Sequence, residues 1–307
     1  MNVIFAIIFN AKRSKLMKNI PLRISKAFLG AFFTTLGLLM LSNQAFTQEY
    51  KIKTIVIDAG HGGKDGITRG LNHSEKELAL QTALNLGKAI EAELKDVKVI
   101  YTRTTDEFIP LYERIEIANR AKADLFISIH LNDMAAKPVR VISSYKTVKG
   151  KRTPVYKTVY RKPTSVKGTE TFVSGFGRID EQDEVIKREN ASIFLEDNYQ
   201  ENYANFLTQD PQTNLMLSLL KNANRTQSLN FAKLLQDEYV AVGRVNRGVK
   251  EQSLAVLARA AMPAVLTEIG FLSNPDEESY MASESGQNEI VNCIIKAIKA
   301  YKAHLEA

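Results

Sequence analysis

A histidine or glutamate follows an apolar, β-branched run at three places in this chain. These are His61 in IDAGHGG (57–63), His130 in SIHLN (128–132) and Glu268 in LTEIGF (266–271). Runs that are apolar on both faces suit strands of a parallel or mixed sheet covered by helices. Ligands of such sheets collect outside the carboxyl ends of the strands. The three residues, far apart in the chain, are therefore expected on one rim, where two imidazoles and a carboxylate point to a metal site.

A fourth group stands at the start of a helical pattern. After Ser74-Glu75-Lys76-Glu77, residues Leu78, Leu80, Leu84, Leu86, Ala89, Ile90 and Leu94 supply an apolar face. Ser74 with Glu77 reads as a capping box, which occupies Glu77 and leaves Glu75 free to point elsewhere. The Glu75 carboxylate could complete a His, Glu, His set around zinc, with the fourth position left to water as catalytic zinc prefers. The plain alternative is a first-turn acid favoured by the helix dipole.

From about Lys51 onward the chain resembles the zinc-dependent N-acetylmuramoyl-L-alanine amidases, which cut peptide stems from peptidoglycan. The matching pieces are IDAGHGG (57–63), SEKELAL (74–80), YTR (101–103), RIEIANRAKADLFISIHLN (114–132), NRGVKEQSLAVL (246–257) and PAVLTEIGFLSNPDEE (263–278), in the same order and spacing. The resemblance implies one zinc ion, with His61, Glu75 and His130 as ligands and Glu268 as the catalytic acid–base. Asp58 and Asn132 lie beside ligands and are candidates either to orient them or for plain turn and cap roles. Asn246 and Arg247 precede a Gly248 turn and are candidates to approach the peptide stem. Arg103, Arg114 and Asn119 fit anchoring as well as substrate contact. His73 reads as a loop residue, and His304 as a cation at a helix C-terminus.

The chain departs from the simple family pattern between His130 and the Ser228 helix. A first insertion, 135–167, is basic: ten Lys or Arg and no acid lie between Lys137 and Lys167. The alternation in Thr153–Tyr160 suggests a short hairpin, and the charge suits either anionic wall carboxylates or a solvated loop. A second insertion, 176–226, opens with Asp180, Glu181, Asp183 and Glu184. It continues with an apolar stripe (Val185, Ile186, Ile193, Phe194, Leu195) and a helical run over Thr213–Leu220. In similar division-linked amidases, a helix inserted here covers the zinc until an activator displaces it. Arg188-Glu189-Asn190-Ala191 looks like the occluding turn, which would put Glu189 in the open zinc position. An ordinary covering hairpin is the alternative.

Residues 1–48 hold six basic side chains (Lys12, Arg13, Lys15, Lys18, Arg23, Lys26) and no acid, then an apolar stretch from Ala27 to Leu41. This is the pattern of a secretory signal, with Met17 an alternative start and cleavage expected between about Phe46 and Glu49. The stretch is short for a membrane span, so no transmembrane segment is expected in the mature chain. Of 41 Lys and Arg against 34 Asp and Glu, six basic residues leave with the leader, giving 35 against 34. The net charge therefore does not argue for nucleic acid, and no recognition motif for it is present. The single Cys293 excludes an internal disulfide framework and falls on the apolar face of a helix over about 287–305.

The expected architecture is a three-layer α/β sandwich, with a twisted, mostly parallel or mixed sheet of about six strands (52–58, 97–102, 125–130, 169–174, 254–258 and 264–268) between helices. One catalytic domain, 49–307, carries both insertions, and a monomeric, exported enzyme of the periplasm or cell envelope is expected. Two rivals are another zinc peptidase, such as a carboxypeptidase, and a non-catalytic peptidoglycan-binding regulator. The first would need a basic clamp for a terminal carboxylate, and the second would have little use for all four site groups.

Overall fold

Eight residues without a polar side chain pointing to water make an unusual strand, yet β3 (Leu125–Asn132) and β8 (Ala264–Phe271) are buried along their whole length. They form the middle of the sheet in a computed structural model that describes residues 51–66, 68–175, 183–203 and 211–306. The expected leader, 1–48, and Asp180 and Glu181 lie outside the described residues. Around the middle pair lie β1 (Thr54–Ala59), β2 (Lys98–Tyr101), β6 (Thr169–Ser174) and β7 (Asn246–Gln252), in the order β2-β1-β3-β8-β6-β7. The strands β2, β1, β3 and β8 are mutually parallel; β6 runs antiparallel to β8 and parallel to β7.

Side chains alternate across a strand, so each face of this sheet needs its own cover. On one face α1 (Glu75–Glu93), α5 (Pro211–Ala241) and α7 (Glu284–Leu305) bury Leu86, Phe231 and Ile294 against Ile57, Ile127 and Val265. On the other, α2 (Leu111–Arg120), α3 (Glu184–Asn190) and the segment around Leu254–Leu257 pack Ile115, Ile186 and Val256 against Val56, Phe126 and Leu266. The short helices α4 (Tyr199–Asn202) and α6 (Pro275–Ala282) complete the set. The sheet is thus mixed, six-stranded and covered on both faces.

Three local expectations are corrected. Residues 254–258 are not a strand: Ala255–Leu257 is a turn of 3-10 helix, and the sixth strand is β7. A buried apolar run reads alike as strand or turn, and here Asn190 decides it by donating to Ser253 O (3.1 Å) and accepting from Ala255 N (2.9 Å). The helical run over Thr213–Leu220 and the Ser228 helix are one continuous helix, α5, of 31 residues. The short hairpin expected in 153–160 is a long ribbon, β4 (Lys137–Val148) with β5 (Lys151–Arg161), whose strands, among the described residues, pair only with each other. Its two-residue turn, Lys149-Gly150, has φ of 50° and 75°, the positive values that fit the right-handed twist of a tight hairpin. Cys293 is buried, as its place on the helix implied.

Candidate metal centre and catalytic carboxylate

The rim begins with a tight, glycine-rich loop. After β1 the chain turns through Gly60-His61-Gly62-Gly63; His61 itself has φ of 57°, and a side chain on Gly62 would meet Glu107 O at 2.2 Å. Two buried guanidinium groups hold the turn open. Arg103 donates to Ala59 O (2.9 Å) and Gly60 O (2.8 Å), and Arg114 to Ala59 O and His61 O (both 2.7 Å). Arg114 is kept in place by Asp58 (2.8 Å), which also accepts from Thr102 and Ser128 (both 2.6 Å). Asp58 therefore acts on His61 through Arg114 rather than on the imidazole. Arg103 and Arg114 are anchors, as is Asn119, which bonds Arg259 O and Ala261 N.

The partner of the His61 ring is Asp65, whose Oδ2 lies 2.9 Å from Nδ1. That leaves Nε2 facing inward, 3.3 Å from Glu75 Oε1 and 3.4 Å from Glu189 Oε2. Glu75 is the first residue of α1. The capping box of Ser74 and Glu77 forms as expected, so Glu75 turns to the sheet and accepts from Leu131 N (2.9 Å). From β3, His130 brings Nδ1 to 3.2 Å from Glu75 Oε1 and 2.7 Å from Glu189 Oε2. Its ring lies flat against Gly60, where any Cβ would fall 2.5 Å from it. His61, Glu75, His130 and Glu189 are all buried, and one donor atom from each lies within 4.8 Å of the other three. His61 Nε2, His130 Nδ1 and Glu189 Oε2 crowd together without forming a well-aligned hydrogen bond. Buried polar atoms left unpaired are costly, and four donors aimed at one point are what a small cation requires.

Electrostatics agree with that reading. Burial raises the Glu75 carboxyl, but the facing His61 overrides it and holds the group at about 2. Burial lowers His130, and the carboxylates of Glu189 and Glu75 more than reverse this, to about 9. The cluster concentrates negative charge on a buried point and draws positive charge to it.

Glu268 stands beside this cluster, level with His130 on β3 and with Glu170 on β6. Burial, helped by the carboxylates of Glu189 and Glu75, raises its carboxyl well above the usual range against the pull of Arg188. Its Oε1 accepts from Arg188 Nη2 at 3.0 Å, while Oε2 has no partner.

The second insertion enters the rim through adjacent residues. Asp183 caps α3. One turn later, Arg188 reaches Glu268, Asn132 Oδ1 (3.0 Å), Asp133 O (3.1 Å) and Glu189 Oε1 (2.8 Å). Ser192 then donates to Asp65 Oδ2 (2.5 Å). Asn132 thus meets Arg188 on one side and donates to Glu170 on the other, and Glu170 also holds Lys250. Arg247 approaches this group, 3.8 Å from Glu170 and stacked over Phe271 at 4.7 Å. Asn246 instead bonds the Gly248 amide. His73 sits beside Glu278 (3.4 Å), and His304 lies in the last turn of α7.

Sequence reasoning passed over Asp65 and Glu170 as members of this rim, and named Arg188 only as part of the occluding turn. Asp65 carried a signal, since a carboxylate four residues after His61 in a glycine-rich loop can turn back onto it. The partners of Arg188 carried none, because they are 55 to 80 residues away.

A mixed α/β sheet with donors for a cation and a buried carboxyl of raised pKa gathered at one rim is a framework that suits a metal-assisted hydrolase. The family model for N-acetylmuramoyl-L-alanine amidase matches residues 55–300, and the chain belongs to that family. Among curated relatives, AmiC of Escherichia coli O6:H1 is 29% identical over 257 residues, covering 81% of this chain and 52% of AmiC. AmiA of Escherichia coli (strain K12) is 25% identical over 251 residues, covering 81% of this chain and 76% of AmiA. The chain therefore spans about half the length of the first relative and three-quarters of the second. The crystal structure of the N-acetylmuramoyl-L-alanine amidase from Clostridium difficile 630 superposes with a TM-score of 0.53 at 26% identity, covering 82% of this chain and 97% of that one.

Proposed function

We propose that this chain hydrolyses the amide between the lactyl group of N-acetylmuramic acid and the L-alanine of the peptidoglycan stem. His61, Glu75 and His130 hold one zinc ion, and Glu268 is the acid–base. The observation that carries this reading is the convergence of three donor atoms, from the turn after β1, from α1 and from β3, beside the buried Glu268 carboxyl. Donors about 2.0–2.1 Å from a tetrahedral zinc lie about 3.4 Å from one another. The separations of Glu75 Oε1 from His130 Nδ1 (3.2 Å) and from His61 Nε2 (3.3 Å) support zinc, whereas Glu189 lies closer to His130, at 2.7 Å.

An amide is a poor electrophile with a poor leaving group. Bound zinc supplies Lewis acidity to a water and to the scissile carbonyl. Glu268 handles the protons: a carboxyl raised by burial accepts the proton of the attacking water and passes it to the departing amine. Asp65 fixes the tautomer that turns His61 Nε2 inward.

The Arg188-Glu189 pair makes the chain self-inhibited. Glu189 stands where a fourth donor belongs, and Arg188 engages the carboxylate that must accept a proton. A partner protein that draws α3 away would release both at once. An exported enzyme, active as a monomer in wall remodelling or daughter-cell separation, fits the leader pattern of residues 1–48. Among the described residues no helix is long and apolar enough to cross a membrane.

Mass spectrometry of purified peptidoglycan tests the reading. Free stems beginning with L-alanine should form with zinc, disappear with chelator and be absent for Glu268→Ala. Fragments cut elsewhere in the stem would mean another peptidase. No product from either the parent chain or the Arg188→Ala/Glu189→Ala variant would leave a binding role.

A further inference from the structure

The β4–β5 ribbon takes no part in the chemistry above, and its composition is unlike the rest of the described residues. Between Lys137 and Arg161 there are eight Lys or Arg and no acid. Six exposed large apolar side chains lie on the same ribbon: Val139, Ile142, Tyr145, Val148, Tyr156 and Tyr160. Strands of 12 and 11 residues, at about 3.4 Å per residue, make an arm roughly 37 Å long. A two-stranded ribbon without a third partner is marginal in water, and exposed apolar groups in this number mark a contact surface.

The register sorts the side chains by face. Cross-strand partners share a face, so Arg140, Ile142 and Tyr145 stand with Arg152, Tyr156 and Tyr160. Two cation–π contacts knit this face: Arg140 over Tyr156 at 4.6 Å and Arg152 over Tyr145 at 4.0 Å. The opposite face alternates lysine with valine: Lys146, Val148 and Val139 against Lys151, Lys157 and Val159. Lys149 adds a cation at the tip.

A flat protein or glycan surface would need one such face. Cations interleaved with apolar groups on both faces and at the tip suit a medium that surrounds the arm, with anionic groups and hydrocarbon within reach of the same side chains. We propose that the ribbon is a docking arm for an anionic phospholipid surface, lying in the headgroup layer with its valine, isoleucine and tyrosine side chains directed to the acyl boundary. Lysine and arginine stems bury their methylenes there while their charges stay with phosphate, and tyrosine favours the same depth. Unpaired strand edges keep the arm at the interface rather than across the bilayer. The arm springs from the rim: it starts five residues after Asn132, and Lys162 at its base bonds Asp133 (2.5 Å). Docking would therefore hold the catalytic rim near the membrane, a role beyond the amidase reading and independent of it.

The chain has no tryptophan, so Val148→Trp in the full chain reports the arm alone. Its emission should shift to the blue, and become open to a lipid-borne quencher, on vesicles of phosphatidylglycerol with phosphatidylethanolamine. Neither should occur on phosphatidylcholine vesicles, and about 0.5 M salt should reverse both. Each cation removed should lower partitioning about fivefold. Arg140→Gln/Lys146→Gln/Lys151→Gln/Arg152→Gln in that background should therefore sediment with anionic vesicles several-hundredfold less, with its circular dichroism unchanged. No shift on anionic vesicles, an equal shift on neutral ones, or a quadruple variant that partitions like its parent would overturn the proposal. A shift seen with isolated wall sacculi and not with vesicles would overturn it in favour of a polymer.

Discussion

Removing Arg188 and Glu189 together should switch the enzyme on without an activator. Arg188 makes three hydrogen bonds to groups outside its own helix, at 3.0 Å to Asn132 Oδ1, 3.1 Å to Asp133 O and 3.0 Å to Glu268 Oε1. Its side chain is only 17% exposed, so solvent screening is slight. Hydrogen bonds to charged groups contribute about 1.5–3 kcal/mol each. The low end, discounted because one nitrogen serves both Asn132 and Asp133, makes the loss about 3 kcal/mol. At about 1.4 kcal/mol per decade, the closed state loses roughly 100-fold of its advantage. Activity scales with the fraction of open molecules while that fraction is small. Arg188→Ala/Glu189→Ala should thus raise the basal rate on soluble muropeptides at least about 100-fold in zinc-saturated buffer. The rest of the insertion keeps its contacts through Asn190, Ile186 and Ser192, so the variant should stay folded, with a melting temperature lowered by about 2–4 °C for each kcal/mol lost. An unchanged or reduced rate in a variant that still unfolds cooperatively would refute the self-inhibition.

Asp65→Ala removes the group that orients His61 and should weaken zinc binding about 10–100-fold, read by competition with a chromogenic chelator while the fold is retained. In Gly60→Ala the new methyl would fall within 2.5–2.7 Å of the His130 ring; displaced by it, His130 should bind zinc at least about tenfold more weakly by the same assay. Asp58 is buried, which raises its carboxyl, but Arg114 and the hydroxyls of Ser128 and Thr102 bring it below the usual range. A lowered folded-state value means that its stabilisation is present above the unfolded value of about 3.9 and is lost as pH falls through the folded one. Asp58→Asn should therefore cost about 3–5 kcal/mol at neutral pH, and denaturant titrations should show that gap narrowing below about pH 4.

The types and order of the candidate donors could be read directly from the chain, because each sits at a local signal. His130 and Glu268 follow apolar, β-branched runs that read as buried strands, and His61 stands in a glycine turn. Glu75 is singled out because Ser74 and Glu77 satisfy each other across three residues. Such patterns depend on neighbours within one turn or one strand, and a sequence records neighbours faithfully. Periodicity failed where one pattern has two solutions. Ser253–Ala258 is apolar enough for a strand, yet it coils because Asn190, some sixty residues earlier, bonds its backbone. The charged NRGVKEQ, by contrast, forms the edge strand β7.

Tertiary structure alone settled the choice of partners. Asp58 and Asp65 flank His61 almost equally in sequence, but Arg114 claims the first and the loop folds the second onto the imidazole. Arg188 closes on Asn132, Asp133 and Glu268 from 55 to 80 residues away, and β4 finds β5 along its whole length. Which donor meets which acceptor is a matter of ångströms between distant segments, and that distance is set only when the sheet and its two helical layers pack.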